Sequence, residues 1–195
     1  MCDKYLFCYD RLMKKTILIL SLFVSSFVYA TPFTIESPKI GSIEVAYSPE
    51  GGGQELILKL IRSARVDIQL MAYTFTSKAV TEALIKAHRR GVRVSVAADI
   101  ENTKSKNGQM AMSVLVKAGV PVRTVTKYRA MMNDKMLIVD GKHVEAGAFN
   151  FSKLSVDAPQ PENVTVYWDA PEVADVYFGH WQNRWRRGKA FALTN

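Results

Sequence analysis

Cysteine is almost missing from this sequence. Its 195 residues hold two, Cys2 and Cys8, both near the start. Histidine is nearly as scarce, with His88, His143 and His180 scattered along the chain. These counts exclude a Cys-rich zinc module and a disulfide scaffold. There is no linker rich in Pro, Gly or Ser, no internal repeat and no low-complexity tract. Hydrophobic residues make up 48% and charged residues 23%, which argues against a disordered or fibrous chain. The length suits one well-packed domain and is short for two. Positive charge is in excess: 26 Lys+Arg against 18 Asp+Glu give a formal charge of +8. Such a balance suggests a polyanionic partner without naming one.

One apolar run stands out, Thr16–Val28, preceded by Met13, Lys14 and Lys15 and followed by Tyr29 and Ala30. A basic start, an apolar core too short for a stable span and small residues before a cut read as a secretory signal peptide. Cleavage is expected after Ala30, leaving one domain over residues 31–195 in the periplasm or outside the cell. An uncleaved N-terminal anchor is the competing reading. Either Met1 or Met13 is the start, and in the second case residues 1–12 are an upstream extension. Removal of residues 1–30 takes away Lys4, Arg11, Lys14 and Lys15 against Asp3 and Asp10, so +8 becomes +6. Both cysteines leave with it, and no other run is long enough to cross a bilayer.

The remaining chain alternates strand and helix patterns. Ser42–Ser48 alternates polar and apolar residues as a strand does, and Gln54–Ala64 gathers Leu56, Ile57, Leu60, Ile61 and Ala64 on one helical face. Arg65–Phe75 and Val92–Ala98 read as strands around a helix over Lys78–Arg90, capped by Ser77 and stopped by Gly91. Glu101–Gly108 reads as a polar loop, Gln109–Ala118 as a helix, Val120–Val125 as a strand and Thr126–Met132 as a second loop. Lys135–Asp140 and His143–Ala148 form an expected hairpin, because Asp140-Gly141 is a strong turn signal. Asn163–Trp168 is a further strand, and Pro171–Arg187 a closing helix with Pro171 in its first turn. The fold class expected is α/β, with a mixed, mostly parallel sheet and helices on both faces.

The stretch with most chemistry in it runs from Asn133 to Asn150. On a strand, Asn133 and Lys135 point to one face and Asp140 to the other. The hairpin returns Gly147–Asn150 beside them. An ammonium and two carboxamides gathered there would suit phosphate oxygens, and Gly147 would let an anion approach the backbone. Asp140 begins the turn, so a structural role is at least as well supported as a chemical one. Lys104, Lys106, Lys127 and Arg129 lie on the two polar loops and are candidate contacts to a nucleic-acid backbone. Gly51-Gly52-Gly53 lacks the Lys-Ser/Thr of a nucleotide-binding loop and reads as a turn. The cationic end of the last helix, from Arg184 to Lys189, reads as a favourable helix terminus over tryptophans packed inward.

In this stretch the sequence resembles the phospholipase D superfamily. Its motif is His, any residue, Lys, four residues, Asp, six residues, then Gly-Ser/Thr-any-Asn. Here Asn133, Lys135, Asp140, Gly147, Ala148 and Asn150 stand at those spacings. Size, strand order and the signal peptide are similar to the small, single-motif secreted bacterial endonucleases of that superfamily. Glu162-Asn163 resembles the Glu-Asn of that subgroup, whose Glu supports the catalytic His. The resemblance implies a metal-independent phosphodiesterase without cofactor, acting on DNA or RNA, with one site shared across a homodimer. It implies catalytic roles at positions 133, 135, 140, 150 and 162, and substrate binding at Lys135, Gly147, Ala148 and Asn150.

Two positions depart from that motif. Asn133 stands where the nucleophilic His belongs, and Ala148 where a hydroxyl is usual. A carboxamide nitrogen is neither basic nor nucleophilic, so Asn133 can hold a phosphate but cannot attack it. The expectation is an inactive or impaired nuclease. The alternatives are a catalytically dead nucleic-acid-binding protein and a phospholipid-hydrolysing phospholipase D. His88, His143 and His180 are each expected to serve packing or surface roles.

Overall fold

Alternating polarity over Ser42–Ser48 produces strand β1, and the apolar stripe that follows produces helix α1, Gly53–Ser63, which buries Leu56, Ile57, Leu60 and Ile61. Strand β2 covers Asp67–Ala72 and helix α2 Lys78–Arg89. The Ser77 hydroxyl accepts the Val80 amide at 3.3 Å and caps α2, as its sequence position leads one to expect. Strand β3 spans Arg93–Asp99, helices α3 and α4 span Ile100–Thr103 and Lys106–Lys117, and strand β4 spans Val122–Val125. Strands β5, β6 and β7 cover Met136–Val139, His143–Gly147 and Glu162–Trp168. Helix α5 runs over Pro171–Arg187, and β8 is the short strand Lys189–Ala190. This computed structural model describes residues 35, 39–49, 51–125, 131–153, 155 and 161–193, all within the compact unit Thr34–Asn195. The expected signal peptide, residues 1–30, and the candidate contacts Lys127 and Arg129 lie outside the described residues.

The strands form one eight-stranded sheet in the order β1-β7-β6-β5-β2-β3-β4-β8. Helices cover both of its faces. Side chains of α1, α2 and α4 build the larger core with Ile68, Leu70, Val96 and Leu137, while α5 closes the other side over Met71, Ala97, Ile138 and Val144. The α/β class holds, but the sheet is not mostly parallel. Only β2–β3 and β3–β4 run parallel, and the other five neighbouring pairs are antiparallel. The Asp140-Gly141 turn accounts for one of these pairs, β5–β6. Both residues sit at positive φ, 54° and 60°, and Lys142 N–H donates to the Val139 carbonyl at 3.1 Å. A tight turn of this kind reverses the chain, and β5, β6 and β7 enter the sheet as a meander.

Glu101–Gly108 is not the polar loop expected. Asp99 accepts the Asn102 amide at 3.0 Å and Ser105 accepts the Gly108 amide at 3.1 Å, and these caps start α3 and α4. Lys104 therefore ends a helical turn, paired with Glu101 at 2.7 Å, and Lys106 begins α4. Among the described residues no helix is long and apolar enough to cross a membrane.

Candidate functional site

The segment 131–135 is hung on the end of β3. Buried Asp99 accepts the Met132 amide at 2.8 Å through the oxygen its helix cap leaves over. From there Lys135 projects beside Tyr73, its ammonium 5.5 Å from the ring centre. It donates to the Asn133 side-chain carbonyl at 2.8 Å and to the Asn133 main-chain carbonyl at 3.2 Å. Burial draws the Lys135 ammonium below the usual lysine range, against the opposing pull of Glu162 and Asp134.

Across the hairpin, Asn150 donates its side-chain N–H to Glu162 at 2.9 Å. One oxygen of each, Asn150 Oδ1 and Glu162 Oε2, is buried without a hydrogen-bond partner among the described residues. The site thus joins one cation, two carboxamides and a carboxylate at one end of the sheet. Asn133 is exposed, so its end of the cluster is open to solvent. An ammonium with amide N–H groups beside it can hold phosphate oxygens, and two buried acceptors in want of donors can orient a hydrogen-bearing group.

Gly147 has a different reason to be glycine from the one expected. A Cβ at this position would lie 2.2 Å from the Asn163 carbonyl oxygen, so the group approaching it closely is the chain's own β7 rather than an anion. The Ala148 amide donates to that same carbonyl at 3.0 Å and is therefore engaged. Asp140 is not brought to the cluster at all. It lies at the opposite end of β5, about 16 Å away at strand rise. Its carboxylate accepts the amides of Arg65, Val66 and Asp67 at 2.7 to 3.1 Å. Asp140 is a clamp on the start of β2. Replacing it with Ala should cost about 2 kcal/mol of stability, the range for a lost charge-assisted network, and leave phosphate binding at Lys135 unchanged. Urea melts and phosphate titration check this together; lost binding with intact stability would return Asp140 to the site.

A feature missed by sequence reasoning backs the segment. Asp134 points away from its neighbours onto α5, where Arg184 Nε lies at 3.1 Å and His180 Nε2 at 3.2 Å. Burial alone would raise the Asp134 carboxyl, but the hydrogen bonds and charges of His180 and Arg184 outweigh it and hold the group below the usual range. His180 and Arg184 are four apart and so share a helical face, which was the available signal. A shallow cavity of about 210 Å³ lies here, lined by Met131, Met132, Asn133, Asp134 and Arg184. His143 sits at the far end of the hairpin, where its Nδ1 accepts the Asp169 amide at 2.9 Å. Among the described residues no group of three or more His, Cys, Asp or Glu is arranged to hold a metal ion.

A family model described as "Cardiolipin synthase, PLD-like domain" matches residues 57–185, a span holding every member of the cluster. The chain belongs to the phospholipase D-like family. It is 32% identical over 152 residues to "Phospholipase D" of Rickettsia bellii, covering 78% of this chain and 73% of that one. It is also similar to "Mitochondrial cardiolipin hydrolase" of Homo sapiens, 27% identical and covering 86% and 67%. Among solved structures, the phospholipase D family member Nuc from Salmonella typhimurium superposes with a TM-score of 0.75 at 37% identity. That match covers 77% of this chain and 97% of Nuc. NucT from Helicobacter pylori, 22% identical with a TM-score of 0.69, shares the fold. A phospholipase D-like phosphodiesterase domain accounts for the architecture and for the cluster.

Proposed function

We propose that this chain binds the phosphate backbone of nucleic acid non-specifically at the Asn133, Lys135, Asn150 and Glu162 cluster, and that Asn133 leaves it inactive or severely impaired as a nuclease. The observation that carries the reading is the Lys135–Asn133 contact: a partly desolvated ammonium held by a carboxamide in the position where a nucleophile would stand. An imidazole there would attack phosphorus and a second would protonate the leaving oxygen, and neither step is open to an amide. The single motif suits a homodimer with the site at the two-fold axis, since each copy supplies half of the reacting groups. The excess of Lys and Arg, a formal charge of +8, supports a polyanionic backbone as the ligand. The same reading takes the protein to be exported and, once cut, without a membrane span.

The unmodified chain is expected to bind DNA or RNA with an affinity that drops steeply as salt rises, while cleaving neither above background. Lys135→Ala should weaken binding roughly tenfold, the worth of one charge-assisted contact. Filter binding across a salt series checks both. Flat salt dependence, or Lys135→Ala binding as the parent does, would count against a phosphate site. The relatives called phospholipase D and cardiolipin hydrolase favour a second reading, phospholipid hydrolysis. Headgroup release from vesicles without DNA binding would put that reading first.

A further inference from the structure

The opposite end of the sheet carries a second concentration of positive charge that the site does not use. Helices α1 and α2 both end there, and β2 and β3 both begin there. Arg62 lies in the last turn of α1, Lys86 and Arg89 in the last turn of α2, with Arg65, Arg90 and Arg93 in the turns that follow. The two turns are tied together: Arg90 donates to the Ala64 carbonyl at 3.4 Å and the Arg93 amide to the Val66 carbonyl at 3.0 Å. All six cationic residues are exposed. Asp67 neutralises Arg93 at 2.8 Å. The side chains of Arg62, Arg65, Lys86 and Arg89 make no hydrogen bond or ion pair among the described residues.

Helix dipoles favour cations at such termini, but they explain neither Arg65, which lies outside the helix, nor its neighbour. Val66 stands among these arginines 52% exposed. The Asp140 carboxylate accepts its amide at 2.7 Å, yet six cationic side chains against Asp67 and Asp140 leave the pole positive. This pole is not continuous with the site. Strand β2 separates them by about 20 Å at strand rise. The outer faces between them alternate in sign, with Glu55 near Lys59 on α1 and a Lys78–Glu82 pair on α2. A polyanion gripped at Lys135 therefore meets no unbroken cationic track to the pole.

We propose that this pole docks the protein on an anionic bilayer surface. Unpaired arginines attract lipid phosphates from within a Debye length, and an exposed valine among them has an apolar boundary to enter. Nucleic acid offers phosphates but no place for Val66. Docked this way, the domain holds the Lys135 site away from the bilayer, facing solution. The inference stands apart from the nucleic-acid reading of the site.

The test compares the full chain with its Arg62→Ala/Arg65→Ala/Arg89→Ala variant by vesicle sedimentation. Vesicles of phosphatidylcholine, with or without a third of phosphatidylglycerol, are the probe. The apolar segment Thr16–Val28 is common to both proteins, so the ratio of binding to the two vesicle types reads the pole. Each arginine near an anionic surface contributes about fivefold, so the triple variant should lose about a hundredfold of that ratio. The triple Lys variant should keep it, because the bilayer reads charge and not the guanidinium fork, and it guards against a misfolded Ala variant. An unchanged ratio in the Ala variant overturns the proposal. So does loss of DNA binding with vesicle binding intact, which would assign the pole to nucleic acid.

Discussion

Asn133→His is expected to give this chain a nuclease activity that works in EDTA. The magnitude should be large, on the order of 10⁶ in turnover, by analogy with proteases stripped of their nucleophile. The imidazole would form a bond to phosphorus as the bond to the leaving oxygen breaks. The partner copy's imidazole would give that oxygen its proton, and water would then release the phosphate. The surroundings suit the change. Lys135 stands 2.8 Å from the carboxamide that would be replaced, ready to hold a phosphate oxygen instead. Glu162 Oε2 is a buried acceptor with no partner among the described residues, and an imidazole N–H is the donor it lacks. Ala148→Ser restores the hydroxyl of the second departure and should raise the rate further in the double variant. Plasmid nicking by the unmodified protein at a comparable rate would show that Asn133 is not what limits it. Under the homodimer proposed above, two copies supply the pair of imidazoles, so specific activity should fall on dilution below that dimer's dissociation range.

Glu145→Gln is expected to stabilise the fold strongly at and above neutral pH and to flatten its pH dependence between 4.5 and about 8. Glu145 lies on β6 between Leu137 and Val166, fully buried, with neither carboxylate oxygen bonded among the described residues. Burial pushes its carboxyl up to about 8 from an ordinary value of 4.5. A carboxyl raised on folding keeps its proton in the native state while the unfolded chain has already released its own. Stability therefore falls as pH rises through the window between the two values. The loss amounts to about 3 kcal/mol at neutrality and roughly 5 kcal/mol above pH 8, at 1.36 kcal/mol per unit. Below pH 4 the parent and Glu145→Gln should melt alike, and the gap between them should open from 4.5 to about 8 and then stay level. Denaturant midpoints with equal spacing at every pH would show that Glu145 is not the group responsible.

How much of this was legible in the sequence differs from one part to the next. The Asn133–Asn150 spacing is readable because one tight turn fixes the hairpin, and a hairpin fixes which residues face each other. The closing helix over Pro171–Arg187 was legible because proline and the apolar stripe agree. Strand direction was not, since the pattern of β5 is compatible with either sense and its neighbour β2 lies more than sixty residues earlier. Nor was the helical character of 100–103, which depends on the Asp99 cap. Asp134 sat unnoticed between two more suggestive residues, because its partners appear only once α5 packs on that face. Glu145 looked like an ordinary polar position on an alternating strand, and only the layer of helices above it makes it a buried acid.

Strand β2 is the seam of this sheet, parallel to β3 on one side and antiparallel to β5 on the other. One part of the sheet, β2 to β4, grows by helix crossovers, and the other is a meander whose β5, β6 and β7 follow one another closely in the chain. Such parts can open as separate cooperative units, with opening free energies below that of global unfolding. Asp140 belongs to the turn of the second part, yet it holds the amides of Arg65, Val66 and Asp67, which lead into the strand that starts the first. The middle of the family motif therefore does mechanical work, apart from the cluster formed at its ends. The hydrogen-exchange protection of Arg65, Val66 and Asp67 becomes a gauge of whether the two parts are coupled.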